Sequence, residues 1–583
     1  MTAFPNVFSF QKLRHLFGML CILGAWLYPF SEGASPDAMQ QIVALGSLAA
    51  ASLLFGMSPM GGMAAACSVM FFVVLIMSPS QYTGGQFAGI AGVVIASLGC
   101  CVGVHLRSNF SGLVWFLVAV VAAAFVNALE GLLQWFGLAS ELWPWVAQTG
   151  RRGLAFGAFR QTNLFATFLC TGIVCAAWLL HLQRISSAMA WFLVSVMVFG
   201  VAASGSRTGG LELAALSVAG LLWRKQQTIQ LTRLLVGPIV LFGLATIILP
   251  IAANLHGFGF VSGIERAASA TKDARLLIWS NALGLIHERP WTGWGWLGMG
   301  YGHYVTLFEH RFDTLLDHSH NLPLQIAVEF GLPVAFAAIG LVIWLVWKGK
   351  PWQVVYEAHI NRNEPTSNRV FAWAILMFIV GIHSMLERPL WYFGNLFLTG
   401  FSSGYLLLPI ARISVSKYGI LANRFTVACG VMLMVLALVA WQQYAKILAI
   451  DKAPFGDREA QRVAIKGASE AWLFSGQHDF IKIGLFDITK ENAMEVKQSA
   501  ITLLHYSAEP RVIQPLLMSL WYLRETDELK FHTMRFCRAF PDAFWRWSQF
   551  YASHPMLPES GNLSRSCQPE TIPLNTTVVI QWN

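Results

Sequence analysis

The stretch Asp317-His318-Ser319-His320-Asn321-Leu322-Pro323 separates two kinds of chain. Before it lies a long, mostly polar segment; after it an apolar run extends from Leu322 to Trp347. Asn321 is a good N-cap, and proline is tolerated in a first helical turn, where its missing amide would be unpaired anyway. The stretch therefore predicts a membrane helix starting at Leu322, with His318 and His320 at its positive end. Free amides and the helix dipole favour an anion there. A histidine beside such a site is suited to moving a proton near a phosphate or an acceptor hydroxyl. The competing reading is that both histidines only cap the loop at the membrane boundary.

Working outward, the 583-residue chain is 56% hydrophobic and 12% charged, with a mean hydropathy of +0.55. Soluble domains carry about 25% charged residues. An all-α polytopic membrane protein is expected. Apolar runs long enough to span a bilayer fall near 13–30, 38–56, 61–78, 86–106, 111–138, 163–182, 186–204, 209–223, 233–253, 322–347, 370–387, 391–410 and 421–443. This predicts about 12–13 transmembrane helices. The net charge of +9 is explained by basic residues in short loops. No stretch interleaves basic and aromatic residues as a nucleic-acid groove would. Most cysteines lie in apolar runs and none forms a CxxC pair, so they read as small buried residues. The N-terminal apolar run lacks a small-residue cleavage site and reads as a first span.

Loop charges give an orientation. With the N-terminus cytoplasmic, that side receives Lys12, Arg14, Arg107, Arg184, Arg224, Lys225, Arg233, Lys348, Lys350, Arg362, Arg369, Arg412, Lys417 and Arg424. Loops 31–37 and 79–85, on the other side, carry no lysine or arginine. The expected domains are a transmembrane part, 1–444, with a large external loop at 254–321, and a small, mainly helical C-terminal domain at 445–583. Both the loop and that domain would lie outside the cytoplasm. Pro510 and Pro541 punctuate a helix pair of repeat type in the latter. Cys537 and Cys567 would meet an oxidising compartment and could pair.

Several arginines stand on the external side against the charge rule: Arg151, Arg152, Arg160, Arg207, Arg266, Arg275, Arg289 and Arg388. Charge near membrane depth is costly, so such residues pair locally or line a polar cavity. Arg388 could pair with Glu387, and Arg207 with Glu212. Alternatively, guanidinium forks suit phosphate oxygens through two parallel hydrogen bonds, pointing to a phosphate-bearing lipid. The run from Trp291 to Gly300 is dense in tryptophan and glycine and reads as a turn at the membrane interface. His303, His310, Asp313, Asp317, His318 and His320 are crowded enough to raise a metal site, but the loop has no HExxH or paired-acid motif. No metal and no cofactor are expected.

Four elements, in order, resemble the bacterial O-antigen ligase superfamily, and more closely its protein O-oligosaccharyltransferase branch. They are Arg160-Gln161-Thr162-Asn163, with threonine where the usual spelling has proline; Ser206-Arg207-Thr208; Arg275 and Trp279 with Pro290 and Gly293-Trp294-Gly295; and His320-Asn321 followed after nine residues by Gly331. The resemblance covers roughly residues 150–400. It implies a metal-independent glycosyltransferase of the bacterial inner membrane that takes a glycan from undecaprenyl pyrophosphate on the periplasmic face. The acceptor would be Ser or Thr of a periplasmic protein such as a type IV pilin. Sister branches use lipid A-core or extend the glycan itself. The implied roles are His320 as general base, with His318 as rival, and Arg160, Arg207 and Arg275 on the pyrophosphate. Asn163, Asn321 and Arg388 would support them. A transporter for the lipid-linked glycan would need the same arginines without chemistry, but would be expected to show inverted repeats, and none is evident.

Overall fold

The computed structural model describes residues 10–30, 36–150, 153–224, 228–255, 257, 274–312, 314–351, 368–406, 417–454, 457–485 and 487–552. Regular structure among them is entirely helical. Arg151, Arg152, Arg266, Asp313 and Cys567 lie outside the described residues.

The chain divides into two compact units: Met1–Val74, Ala88–Thr271 and Ile339–Asp451 in the first, and Leu75–Phe87, Lys272–Ala338 and Lys452–Asn583 in the second.

The helices up to the large loop are α1 (Phe10–Leu27), α2 (Pro36–Phe55), α3 (Gly62–Met77), α4 (Thr83–Ser108), α5 (Phe110–Phe136), α6 (Thr162–His181), α7 (Ser187–Ser204), α8 (Arg207–Leu222) and α9 (Ile229–Leu255). The loop carries α10 (Ala274–Glu288) and α11 (Met299–Val305). There follow α12 (Leu322–Gly349), α13 (Arg369–Leu376), α14 (Phe393–Leu406) and α15 (Lys417–Asp451). All thirteen apolar runs read from the sequence are at least partly helical. Among the described residues, eight helices are long and apolar enough to cross a membrane, fewer than the 12–13 expected. The 370–387 run is broken: α13 passes into a π-helical turn, Met377–Ile382, and a 3-10 turn, His383–Met385.

In the first unit α6 is the central rod. Its residues Leu164 to Leu179 are all buried, as expected of a helix that is apolar all round. α4 and α14 cross at backbone contact. A β-carbon on Gly99 would lie 2.3 Å from the Phe397 carbonyl oxygen, and one on Gly400 would lie 2.0 Å from that of Ala96. Gly103 and Gly404 repeat the relation one turn on. Small residues four apart allow helices in lipid to approach this closely.

The second unit joins the large-loop segment to the C-terminal helices α16 (Arg458–Ala468), α17 (Ser475–Ile483), α18 (Ala493–Leu504), α19 (Pro510–Tyr522), α20 (Thr526–Ala539) and α21 (Pro541–Ala552). Pro510 and Pro541 each open a helix, where a missing amide costs nothing. One apolar core holds Tyr304 of α11 together with Leu503, Leu516, Leu520 and Phe536. The Tyr304 hydroxyl lies 3.0 Å from His532 Nδ1. Arg535 Nε donates to the Val305 carbonyl at 2.7 Å. Cys537 is disulfide-bonded, whereas seven other cysteines are free.

Candidate active site

In the first unit the motif residues gather at the starts of α6 and α8. The loop before α6 is pinned by two fully buried amides of α5. Gln134 donates to the Ala147 and Gly157 carbonyls and accepts from the Phe156 and Gly157 amides. Asn127 donates to the Trp26 carbonyl and accepts from the Ala158 amide. This satisfied network holds Arg160 at a φ of 57°, a conformation that costs a non-glycine residue about 1 kcal/mol or more. Burial lowers the pKa of the Arg160 guanidinium, and the Asp37 carboxylate opposes that shift.

Asn163, in the first turn of α6, ties three segments together. Its Oδ1 accepts from the Ser206 hydroxyl at 2.7 Å, and its Nδ2 donates to Glu387 Oε1 at 3.2 Å. Ser206 is the N-cap of α8, with its hydroxyl accepting from the Gly209 amide at 3.1 Å. Arg207, the first residue of α8, is exposed. It does not pair with Glu212, which is fully buried and accepts from the Thr167 hydroxyl at 2.7 Å. Thr167 also meets His383 Nδ1 at 2.8 Å. Since its single proton goes to Glu212, Thr167 accepts from His383. The His383 carbonyl in turn receives the amides of Leu386 and Glu387. The unit thus joins two helix N-termini and a carboxylate turn, with Arg160, Arg207 and Arg388 on the joined segments. Paired N-termini with adjacent guanidinium groups favour an oxyanion.

In the second unit the 318–331 segment is fixed at both ends. Asn321 caps α12 as the sequence predicts: Leu324 N donates to its Oδ1 at 3.2 Å, and Gln325 N to its carbonyl at 2.9 Å. His320 has a φ of 53° and is half-buried. His318 is 2% exposed, and its Nδ1 accepts the His320 backbone amide at 2.8 Å. The rings stand edge to face, 5.3 Å apart at 87°. His318 turns back to support the left-handed backbone of His320.

Behind these rings runs a relay that sequence reading missed. Ser319 N donates to Gln325 Oε1 at 2.7 Å, Gln325 Nε2 donates to Glu329 Oε1 at 3.0 Å, and Leu297 N donates to the same oxygen at 3.2 Å. Gln325 and Glu329 are each 1% exposed. A carboxylate inside an apolar run is the signal that could have found them. Two residues after Glu329, α12 breaks at Gly331, with φ 83° and ψ 168°. The freed backbone is met by the tryptophan-glycine loop: Trp294 N, Gly295 N and Leu332 N pair with the carbonyls of Val328, Glu329 and Pro290. This loop is a packed clasp on the helix break. Trp294 and Trp296 are tied through their indole nitrogens to the Leu285 and Gly85 carbonyls, and Trp291 alone of the three is strongly exposed.

Arg275 is half-buried in the first turn of α10. That helix packs through Ile278, Ala282 and Leu285 into one cluster with Ala327 and Val328 of α12. Among the histidines of the crowded loop, His303 has a structural task. Its Nε2 meets Asn281 Oδ1 at 3.1 Å and its Nδ1 meets Arg311 at 3.1 Å. Burial, with Arg311 beside it, pushes its pKa down to about 2. Among the described residues no group of three or more His, Cys, Asp and Glu side chains could hold a metal ion.

Three family models match parts of the chain. "O-Antigen ligase" covers residues 192–339, "Protein glycosylation ligase" residues 155–180, and "Virulence factor membrane-bound polymerase, C-terminal" residues 370–554. Two proteins of Acinetobacter baylyi are similar. A general O-oligosaccharyltransferase is 26% identical over 340 residues, 55% of each chain. A ComP-specific O-oligosaccharyltransferase is 23% identical over 372 residues, 62% of this chain and 64% of the other. The match thus spans less than two thirds of the length of either relative. The chain is a multi-pass membrane protein, helical in all the regular structure of its described residues, that carries O-antigen ligase and protein glycosylation ligase segments and is homologous to these O-oligosaccharyltransferases.

Proposed function

We propose that the chain is an O-linked oligosaccharyltransferase of the bacterial inner membrane. It moves a glycan from undecaprenyl pyrophosphate to Ser or Thr of a periplasmic protein, such as a type IV pilin. The observation that carries the reading is the His318–His320 pair: a half-buried ring set on a strained backbone and held there by a buried second ring. In this reading His320 takes the proton of the acceptor hydroxyl. The hydroxyl oxygen attacks the anomeric carbon, whose bond to the pyrophosphate oxygen breaks with inversion. Undecaprenyl pyrophosphate leaves with the bonding pair. Arg160, Arg207 and Arg275 stabilise its growing charge, and Asn163, Asn321 and Arg388 support them. His318 is a positioning ring, because its Nδ1 lone pair is already engaged.

The active face and the C-terminal helices are periplasmic and the N-terminus cytoplasmic, by the count of basic loop residues. The disulfide-bonded Cys537 supports that placement, since such bonds persist in oxidising compartments.

The test is reconstitution of the full chain in liposomes with a polyprenyl-pyrophosphate-linked glycan and three acceptors: a pilin, lipid A-core and the lipid-linked glycan itself. Glycan on the protein supports the reading. Transfer only to lipid A-core or to glycan makes the chain a ligase or polymerase. Uptake without any new covalent bond makes it a transporter. EDTA should leave transfer unchanged.

A further inference from the structure

The second unit contains a cleft of about 280 Å³ beside the His318–His320 segment. This is near the lower end of small-molecule sites, about 300–1,000 Å³. Its walls include Leu297, Tyr301, Asp317, His505, Tyr506 and Ser507. They come from the loop before α11, α11 itself, the strap leading to His320, and the turn between α18 and α19. That strap continues directly from Asp317 into His318, Ser319 and His320.

The walls are built. Tyr301 and His505 stack with ring centroids 3.7 Å apart at 22°. Tyr506 lies edge-on to Tyr82 at 5.3 Å and packs over Gly476, where a β-carbon would come within 2.6 Å of its ring. Leu297 holds a φ of 61°, with its amide on Glu329. Thus the buried relay that sets the His320 strap also sets one lip of the cleft.

The lining has a definite chemistry. Asp317 is its one carboxylate, and no lysine or arginine contributes. The His505 imidazole is held neutral, its pKa lowered to about 4 by burial with Arg289 nearby. Burial raises the Tyr301 phenol, with Arg289 opposing. A pyrophosphate would find no guanidinium or ammonium group on these walls to pair with. Aromatic edges, neutral donors and a carboxylate that accepts from hydroxyl groups suit a sugar ring. An extended peptide is recognised through a strand edge or a long apolar groove. The cleft is short, and no strand occurs among the described residues.

We propose that this cleft seats one sugar ring of the transferred glycan and that Asp317 selects an uncharged or amino sugar over an acidic one. The inference rests on the glycosyl-transfer reading and adds a specificity site to it.

Saturation-transfer NMR on the full chain in nanodiscs tests it, using methyl N-acetylglucosaminide, methyl glucuronide and a serine-rich decapeptide as probes. The neutral glycoside should bind, and the glucuronide should bind about tenfold more weakly. Asp317→Asn, at an exposed position, should weaken the neutral glycoside about tenfold and remove the discrimination. Ser507→Trp should fill the cleft and abolish both, with the melting temperature of each variant checked first. Absence of glycoside binding, indifference to Asp317→Asn, or displacement of nothing but the peptide by Ser507→Trp would overturn the proposal. Transfer assayed in parallel separates the two claims. A chain that transfers glycan but ignores the glycosides refutes the cleft alone. One that binds the glycosides but transfers nothing refutes the assignment to a transferred glycan.

Discussion

The Ser206 hydroxyl donates to Asn163 Oδ1 across 2.7 Å, locking the start of α8 to the start of α6. One hydroxyl therefore caps a helix and sets the spacing of two positive helix ends. Ser206→Ala should cost about 1 kcal/mol from the lost cap and raise the donor KM. Arg160→Ala and Arg207→Ala should each lower kcat/KM for donor by roughly 10–150-fold, the loss of one charge-assisted contact. Lysine should recover only part of this, because the planar fork is lost. Donor titrations that superimpose on wild type for both arginine variants would remove the pyrophosphate site.

The buried relay behind His320 makes a second prediction. Gln325→Leu leaves the Ser319 amide without its acceptor and the Glu329 carboxyl with only the Leu297 amide. The orphaned amide costs about 1–3 kcal/mol. Glu329→Gln keeps an acceptor for both Gln325 and Leu297. The leucine variant should lose kcat with the donor KM unchanged, and the glutamine variant should keep most of it. Equal kcat values for the two would show that the relay does not position His320.

How much of this could be read from the chain alone differs by element. Every apolar run is at least partly helix among the described residues, because hydropathy and periodicity are local properties. The start at Asn321 was legible because a cap acts within three residues. The broken 370–387 run was not, since its π and 3-10 turns answer to the Thr167–His383 contact from another helix. The competing reading of Arg207 as a local pair with Glu212 does not hold, because Glu212 faces Thr167 across the bundle. The turning of His318 beneath His320 was also hidden, because a positive φ at histidine has no composition signal. The roles of Asn127 and Gln134 were hidden as well, because the carbonyls and amides they pin outside α5 lie 13 to 101 residues away in the chain.

Gly331 should tolerate no side chain. A β-carbon there would lie 2.4 Å from the Trp291 carbonyl oxygen, and the φ of 83° is itself strained for any other residue. Gly331→Ala should destabilise by more than the roughly 1–3 kcal/mol of such strain, seen as a lower melting temperature in detergent. An unchanged melting curve would mean that the clasp on the helix break does not form.

The second unit should be acid-labile. Burial, with Arg311, Arg289 and Arg535 respectively as neighbours, lowers His303 to about 2, His505 to about 4 and His532 to about 3. Their unfolded values are near 6.5. The unfolded state therefore binds more protons below that pH. The stability these neutral rings contribute is complete above about pH 6.5 and falls as pH drops towards the folded values, by up to about 1.4 kcal/mol per pH unit for each buried ring. Melting temperatures at pH 7.5, 6 and 5 should decline, and His532→Gln should flatten the slope. A pH-independent melt would contradict this.

The general-base assignment is tested most directly by the single-turnover rate of glycan transfer to an acceptor protein by purified His320→Ala, with donor binding measured on the same sample. The account predicts a rate lower by about 10²–10⁴-fold, the range for a lost general base, at unchanged donor affinity. Transfer at the wild-type rate would contradict it.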